Sequence, residues 1–480
     1  MPETNSNMTV HELKARPVIL RILAVLIGAL FMIWPALYDR YPLFYPDSVT
    51  YVQDGALAAR AVFLHKFAGY YGMRSLIYSL GILSFHWGIS PWPIVALQAL
   101  LTAYVLWLVV RSILPDRTVT WYLILIALLS LVSSLSWFVS LVMPDILGAL
   151  LYLCAYLLVF ARERLSRIDC VALGVIAWWS ATSHATHLIL LAGLCVLLVL
   201  LRVLWRQEMR GRRRGILELA GIALLAAGAQ LALNFYLYGQ PSLNGDRPPF
   251  LMARLIADGP GRWYLEQHCP QTNLVICDFV HDLPDDSDAF IWAEDGIWQN
   301  VDDDVRKRML QEELPFVLAT LRAYPRAQLL ISARNSRDQL RAIGLYDLDA
   351  SDYVLSEFDK TFPGGKHRYL DGRQAKNLMP LDFFSSLQKW AVLASLAVIA
   401  AFMVVLWRQK PFRLLGLGVV IVSVVAANAF VTGALSTVED RYESRVIWLL
   451  PLLAGLLVMH WFDRRAKERR PGSKAQLEET

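Results

Sequence analysis

Charge is scarce in this chain. Only 18% of its 480 residues are charged, while 56% are hydrophobic, and that balance excludes an ordinary soluble globular protein. No fixed-period repeat is present, which removes solenoids and propellers. The polar start, Met1 to Val10, lacks the form of a secretory signal, and no small-residue cleavage site follows the first apolar run. That run therefore reads as a retained anchor. Cysteine is also sparse, at five residues. Cys154, Cys170 and Cys195 fall in or beside apolar runs and read as packing residues. Cys269 and Cys277 share the one long polar segment, and two close cysteines outside the membrane point to a disulfide. Zinc is disfavoured, because no second cysteine or histidine pair stands at ligand spacing.

What the chain has is apolar blocks long enough to cross a bilayer, each crossing taking about 20 residues. The net charge of +5 gathers in clusters beside these blocks, so no nucleic-acid partner is implied. Span one runs from Pro17 to Tyr38, with Lys14, Arg16 and Arg21 at its start, which places that end in the cytoplasm by the positive-inside rule. Residues 39–93 then lie outside, with two short apolar stretches, Ala56–Phe67 and Arg74–Trp87, expected as interfacial helices. Further spans are expected at Ile94–Val110 and Val119–Phe138, and a fourth begins at the turn Met143-Pro144-Asp145 and ends at Arg162, Arg164 and Arg167. Val171–Leu201 is long for one helix and is interrupted by Ser183-His184-Ala185-Thr186-His187. It reads as a helical hairpin with an outward tip, since a polar break at that depth needs protein or water around it. Ile216–Tyr236, Ala391–Trp407, Leu414–Leu435 and Val446–Phe462 complete the set. Every expected inner loop carries basic residues: Arg111 and Arg117, Arg162 to Arg167, Arg206 to Arg214, Arg408 to Arg413, and Arg464 to Arg470.

The expectation is thus an all-α polytopic membrane protein of about ten transmembrane helices. It divides into an N-terminal transmembrane module (residues 1–238), a small, mainly helical outer domain (239–389), C-terminal transmembrane helices (390–463) and a tail (464–480). In the outer domain, Val305–Tyr324 and Ala327–Leu345 read as helices, and Trp263, Tyr264, Trp292 and Trp298 are candidates for its core. Basic inner loops and the absence of eukaryotic sorting signals suit a bacterial inner membrane, with both termini cytoplasmic and the large segment periplasmic.

This topology gathers polar groups on the outer face. Tyr45-Pro46-Asp47-Ser48-Val49-Thr50-Tyr51 sets a carboxylate among aromatic and hydroxyl groups just past span one. Asp47 is either a helix cap or a general base that deprotonates an acceptor hydroxyl attacking a sugar carbon. Asp54 reads as a solvated face residue. Asp145 either caps span four or supplies a second site carboxylate, and convergence with Asp47 would leave room for a divalent metal. His184 and His187 bind a ligand or satisfy one another and the backbone. Arg441 and Arg445, four apart on one helical face, hold a phosphate or pair with Glu439, Asp440 and Glu443. Tyr45, Tyr51, Arg74 and Tyr442 complete the candidate binding set. Pro363-Gly364-Gly365-Lys366-His367-Arg368-Tyr369 is a basic stretch able to close over a phosphate, without a Walker pattern.

The layout resembles the GT-C superfamily of integral-membrane glycosyltransferases, including the polyprenyl-phosphate-sugar-dependent arabinosyl, mannosyl and aminoarabinose transferases. The resemblance rests on Tyr45-Pro46-Asp47-Ser48 after the first span, Asp145 opening the fourth, short broken central helices, a late outward domain, and Arg441-Tyr442 followed by Pro451-Leu452-Leu453. It covers Pro17–Leu237 and Ala391–Phe462 and leaves the outer domain aside. It implies an inverting transfer with Asp47 as base and with Arg441 or Arg445 on the donor phosphate. The donor would be a polyprenyl-phosphate-linked sugar and the acceptor a membrane lipid or growing glycan. Ser48 follows Asp47 where some relatives carry a second acid, so metal use stays open. Two other classes compete. A transporter or flippase of a lipid-linked glycan is disfavoured by the lack of repeats. A non-catalytic envelope assembly partner would use the outer segment for docking.

Overall fold

A computed structural model describes residues 10–66, 74–239, 241–243, 247–269, 271–409 and 411–469. The polar start before residue 10, the side chains of Lys14 and Arg16, Phe67, Lys410 and the tail from Arg470 onward lie outside the described residues. Among the described residues the secondary structure is helical, apart from one isolated parallel bridge between Leu43 and Leu141.

The first apolar run forms α1 (Val10–Met32) and, after a break at Ile33, the short α2 (Trp34–Asp39). Pro35 at the second position of α2 explains the break, since its ring blocks a continuing helix. The next two helices are α3 (Pro46–Leu64) and α4 (Leu76–His86), packed against each other. Gly55 permits this contact, because a Cβ there would stand 2.7 Å from the Ser79 carbonyl oxygen. The first of the two helices expected in residues 39–93 is longer than its hydropathy indicates. It starts at Pro46, so Asp47 lies in a helical first turn rather than in a loop.

α5 (Trp92–Ile113) and α6 (Thr118–Val132) follow, then the short α7 (Leu135–Ser140) after a break at Ser133 and Ser134. α8 (Asp145–Phe160) is buried along its whole length by α5, α9, α11, α21 and α22. A helix of 16 residues is short for a bilayer, but one sheathed in protein needs no match to lipid. α9 (Arg167–Ser183) and α10 (Ala185–Leu204) form the expected hairpin, broken at His184 alone, and α11 (Arg213–Tyr238) runs beside them.

The long polar segment holds α12 (Phe250–Ala257), α13 (Pro260–His268), α14 (Ser287–Trp292), α15 (Ile297–Asn300), α16 (Asp303–Ala323), α17 (Pro325–Gln339), α18 (Asp352–Thr361) and α19 (Lys366–Leu370). Its two halves differ. Met252 to Val317 build a separate core, whereas Ile343 to Leu381 pack into the main core. That separate core is chiefly aliphatic, and Trp263 and Trp292 are exposed rather than buried in it. Cys269 and Cys277 form a disulfide that closes the loop after α13. α17 ends at Gln339, short of the expected Leu345. α20 (Leu381–Gln409), α21 (Phe412–Leu435), α22 (Asp440–Ile447) and α23 (Leu449–Glu468) end the fold.

Among the described residues, seven segments are long and apolar enough to cross a membrane: Trp92–Ile113, Pro115–Val132, Ala185–Leu204, Arg213–Leu237, Leu381–Phe402, Phe412–Leu435 and Asp440–Glu468. This composition is that of a helical multi-pass membrane protein. One end of the bundle is laced by ion pairs between helix ends. Asp169 takes Arg21 and Arg111, Glu218 takes Arg162, Glu163 takes Arg212 and Arg413, and Lys467 takes Asp116. The polar groups singled out by the sequence lie at the opposite end.

Candidate functional site

Two helix N-termini and one arginine-bearing helix build the site. At the start of α3, Tyr45 is the N-cap and Pro46 the first helical residue, a position where the missing N–H costs nothing. Ser48 closes the turn: its Oγ accepts from Tyr45 N at 2.9 Å and its N donates to Tyr45 O at 2.8 Å. The Asp47 carboxylate is thereby free of capping and turns to side chains. Arg74 pairs with its Oδ1, and Arg441 Nη1 stands 3.4 Å from its Oδ2. Asp47 keeps 14% side-chain exposure against 3% for Asp145, so it is the more exposed of the two site carboxylates.

Deeper in, Asp145 is the first residue of α8, with Pro144 as its N-cap. Its Oδ1 lies 3.5 Å from Arg445 Nη1, and both side chains are buried. Arg445 Nη2 also donates to Asn428 Oδ1 at 3.1 Å and Thr186 Oγ1 at 3.3 Å. Arg441 is within electrostatic reach of Asp145 as well as Asp47. The four-residue spacing sets both arginines on one face of α22, and that face points into the cluster rather than at its own neighbours. Glu443 accepts from Asn428, Asp440 accepts from Gly344 N, and Glu439 pairs with Asp347. The local salt bridges weighed from sequence are therefore not formed.

Aromatic rings wall the cluster. The Arg441 guanidinium lies 3.9 Å from the Tyr45 ring centroid and 5.2 Å from that of Tyr442, and Arg445 lies 5.4 Å from Tyr442. Guanidinium groups are held well on such faces. Tyr51, in electrostatic reach of Asp47, Asp145, Arg74 and Arg441, meets Tyr78 edge-on at 5.0 Å.

The histidines part company at the hairpin break. His184 has extended backbone and caps α10, its Nδ1 accepting from Thr186 N. His187 sits in the first turn of α10. Its Nδ1 lies 2.9 Å from the Ser180 carbonyl oxygen, so the proton is on Nδ1 and the buried Nε2 carries the lone pair without a hydrogen-bond partner. Gly148 of α8 makes room for that ring, since a Cβ there would stand 2.7 Å from Nε2.

Several placements differ from the sequence reading. Asp54 is buried rather than solvated, and burial pushes its carboxyl up to about 7 against the opposing pull of Arg74. The stretch 363–369 supplies none of the hydrogen bonds or ion pairs described for the site. Gly364 turns the chain at φ 70°, and Tyr369 stacks on Phe358 among Tyr41, Phe44 and Phe362. Among the described residues no group of three His, Cys, Asp or Glu converges on a metal position, and both site carboxylates already face guanidinium groups. That donor set does not fit a divalent ion. Asn428 escaped the sequence reading, although an asparagine within an otherwise apolar span is itself a signal, and Thr186 entered it only as part of the hairpin break.

Fold and site together describe a multi-pass helical membrane protein with an arginine–carboxylate cluster roofed by tyrosines. Compared with known protein families, curated proteins and solved structures, the chain matches no family model, no curated protein and no solved structure.

Proposed function

We propose that this protein is a membrane glycosyltransferase of the GT-C kind, moving a sugar from a polyprenyl-phosphate donor to a hydroxyl of a lipid or glycan acceptor. The observation that carries the reading is the position of Asp47, the more exposed site carboxylate, held between Arg74 and Arg441 with the Asp145–Arg445 pair behind it. A phosphate diester suits the arginines better than a lone carboxylate does, because guanidinium forks match its oxygens. The 3.4 Å contact of Arg441 to Asp47 is long for a charge-assisted hydrogen bond, so an entering phosphate competes for that arginine.

The chemistry follows from that exchange. The donor phosphate takes Arg441 and Arg74, and Asp47 becomes free to accept a proton. The acceptor hydroxyl loses its proton to Asp47 as its oxygen bonds to the anomeric carbon. The bond from that carbon to the phosphate oxygen breaks, and polyprenyl phosphate departs with its charge held by the arginines. One displacement inverts the anomeric centre and needs no second catalytic carboxylate.

In this reading α1, α8 and α9 join the seven long segments as membrane helices, giving ten. The end laced by ion pairs is cytoplasmic, together with both termini. The site and residues 239–389 face the periplasm of a bacterial inner membrane.

The test is a structure of the purified protein with a polyprenyl phosphate. Phosphate density on Arg441 and Arg74, within hydrogen-bond reach of Asp47, is the expected result. Density elsewhere, or binding untouched by Arg441→Gln, overturns the reading in favour of a non-catalytic envelope partner.

A further inference from the structure

The hairpin of α16 and α17 carries a feature that the site does not use. Leu314, Leu318 and Leu321 follow one another at helical spacing on the face of α16 turned away from its core, and all three are exposed. Leu329 and Leu330, at the start of α17, are 67% and 61% exposed. Leu318 and Leu321 approach the bend at Tyr324 and Pro325 from one side and Leu329 and Leu330 from the other, with Leu314 further back along α16. Away from the bend both helices are polar on their outer sides, with Asp304 and Lys307 on α16 and Arg334 and Arg337 on α17. A hairpin that is apolar at its tip and polar along its arms is shaped for partial immersion, not for a soluble surface.

Two further observations say what covers the tip. Charge is the first: Leu314 to Arg341 holds five arginines and a single acid, Asp338. Arg322 and Arg326 flank the bend, exposed, and no carboxylate among the described residues pairs with them. Position is the second. α17 packs along α21, a membrane-crossing segment. Gln339 bonds the Glu439 carbonyl beyond the end of α21, and Asn335 and Ser336 lie against Gly433. α17 therefore runs in the same sense as α21, with its first residues set back toward the bilayer. α21, the helix that α17 packs along, itself exposes Phe430 and Val422. Trp263, 41% exposed, meets Tyr324 edge-on at 5.7 Å at the bend, the pairing of residues found at a membrane–water boundary.

We propose that the α16–α17 hairpin is a membrane-docking element whose leucine tip enters the leaflet on the site's side, with Arg322 and Arg326 engaging anionic lipid headgroups. It holds the Met252–Val317 core against the bilayer beside α21, independently of the reaction at Asp47.

The experiment uses the full chain in nanodiscs of phosphatidylglycerol or of phosphatidylcholine. Cys154, Cys170 and Cys195 are replaced by alanine, and a nitroxide is attached at Leu329→Cys or, as the water-exposed reference, at Asp304→Cys. Accessibility to oxygen, which concentrates in lipid, is compared with accessibility to a water-soluble nickel chelate. The expected result is an oxygen-to-nickel ratio severalfold higher at residue 329 than at 304. Equal ratios overturn the proposal. Shielding of residue 329 from both reagents, with a doubled particle mass, also overturns it and assigns the face to a second copy. A measurement without cysteine replacement stands beside it: lipid retained by the otherwise unaltered protein, extracted and counted by mass spectrometry. Arg322→Glu with Arg326→Glu should lower retained phosphatidylglycerol relative to phosphatidylcholine. An unchanged lipid ratio overturns the headgroup assignment.

Discussion

Arg445 and Asp145 form an ion pair inside the helix bundle, Nη1 to Oδ1 at 3.5 Å, with side chains only 1% and 3% exposed. The two come from α22 and α8, and their burial follows from α8 being enclosed by protein on every side. A buried pair of this kind is weak evidence of net stabilisation, but removing one partner strands a charge.

Arg445→Gln and Asp145→Asn should each lower unfolding stability by about 3–5 kcal/mol. The double variant should cost clearly less than the sum of the two. Thermal or denaturant unfolding in a fixed detergent reads this coupling, and strict additivity would show that the contact carries none.

Asp47 calls for a different outcome, because its carboxylate is more exposed than that of Asp145 and its partners are arginines that bind phosphate in the proposed reaction. Asp47→Asn should abolish sugar transfer while leaving polyprenyl-phosphate binding intact or tighter, since Arg74 and Arg441 lose their competing anion. Turnover and phosphate affinity, measured on the same preparation, separate the two. Transfer that survives the substitution removes Asp47 from the chemistry.

Asn428 is oriented by its neighbours. Its amide nitrogen donates to Tyr442 O at 2.7 Å and to Glu443 Oε2 at 3.0 Å, which turns its oxygen to Arg445. Asn428→Asp removes both donors and should destabilise the protein by about 1–3 kcal/mol. Adding Glu443→Gln returns one donor to the pair and should recover part of that loss. Unfolding midpoints across the four proteins of the cycle measure it.

Asp39 gives a pH signature. It is fully buried at the end of α2, with Oδ1 accepting from Gln374 N at 2.6 Å and Oδ2 without a partner. Burial raises its carboxyl from 3.8 to about 6. The folded state thus holds this proton more tightly than the unfolded chain. The stability it contributes is fully present below about pH 4 and is lost as pH rises through about 6. Asp39→Asn should therefore be neutral near pH 4 and stabilising at pH 8, by on the order of 1–3 kcal/mol. The difference between wild-type and variant melting temperatures across that range checks both sign and window.

Much of the membrane part was legible because hydropathy and spacing are local. Twenty apolar residues write a span into the sequence wherever they occur. The i, i+4 spacing of Arg441 and Arg445 puts them on one face in any helix. The hairpin break at His184 and the closeness of Cys269 and Cys277 were equally plain. Breaks at Ile33 and at Ser133 were not, because an apolar run reads the same whether one helix or two fill it.

The sequence by itself determined a helical, multi-pass chain and the polar residues it sets at one end. Only the tertiary structure decided which of them meet. Asp47 and Arg441 are 394 residues apart, and no local pattern encodes that contact. Burial of Asp54 by α3 packing on α4, and of α8 by its neighbours, likewise depends on what lies across the fold. The same holds for the two halves of the polar segment, although the first carries all of its tryptophans, Trp263, Trp292 and Trp298. One builds its own core and the other joins the membrane bundle, because packing partners, not local hydropathy, decide where an apolar side chain leaves water.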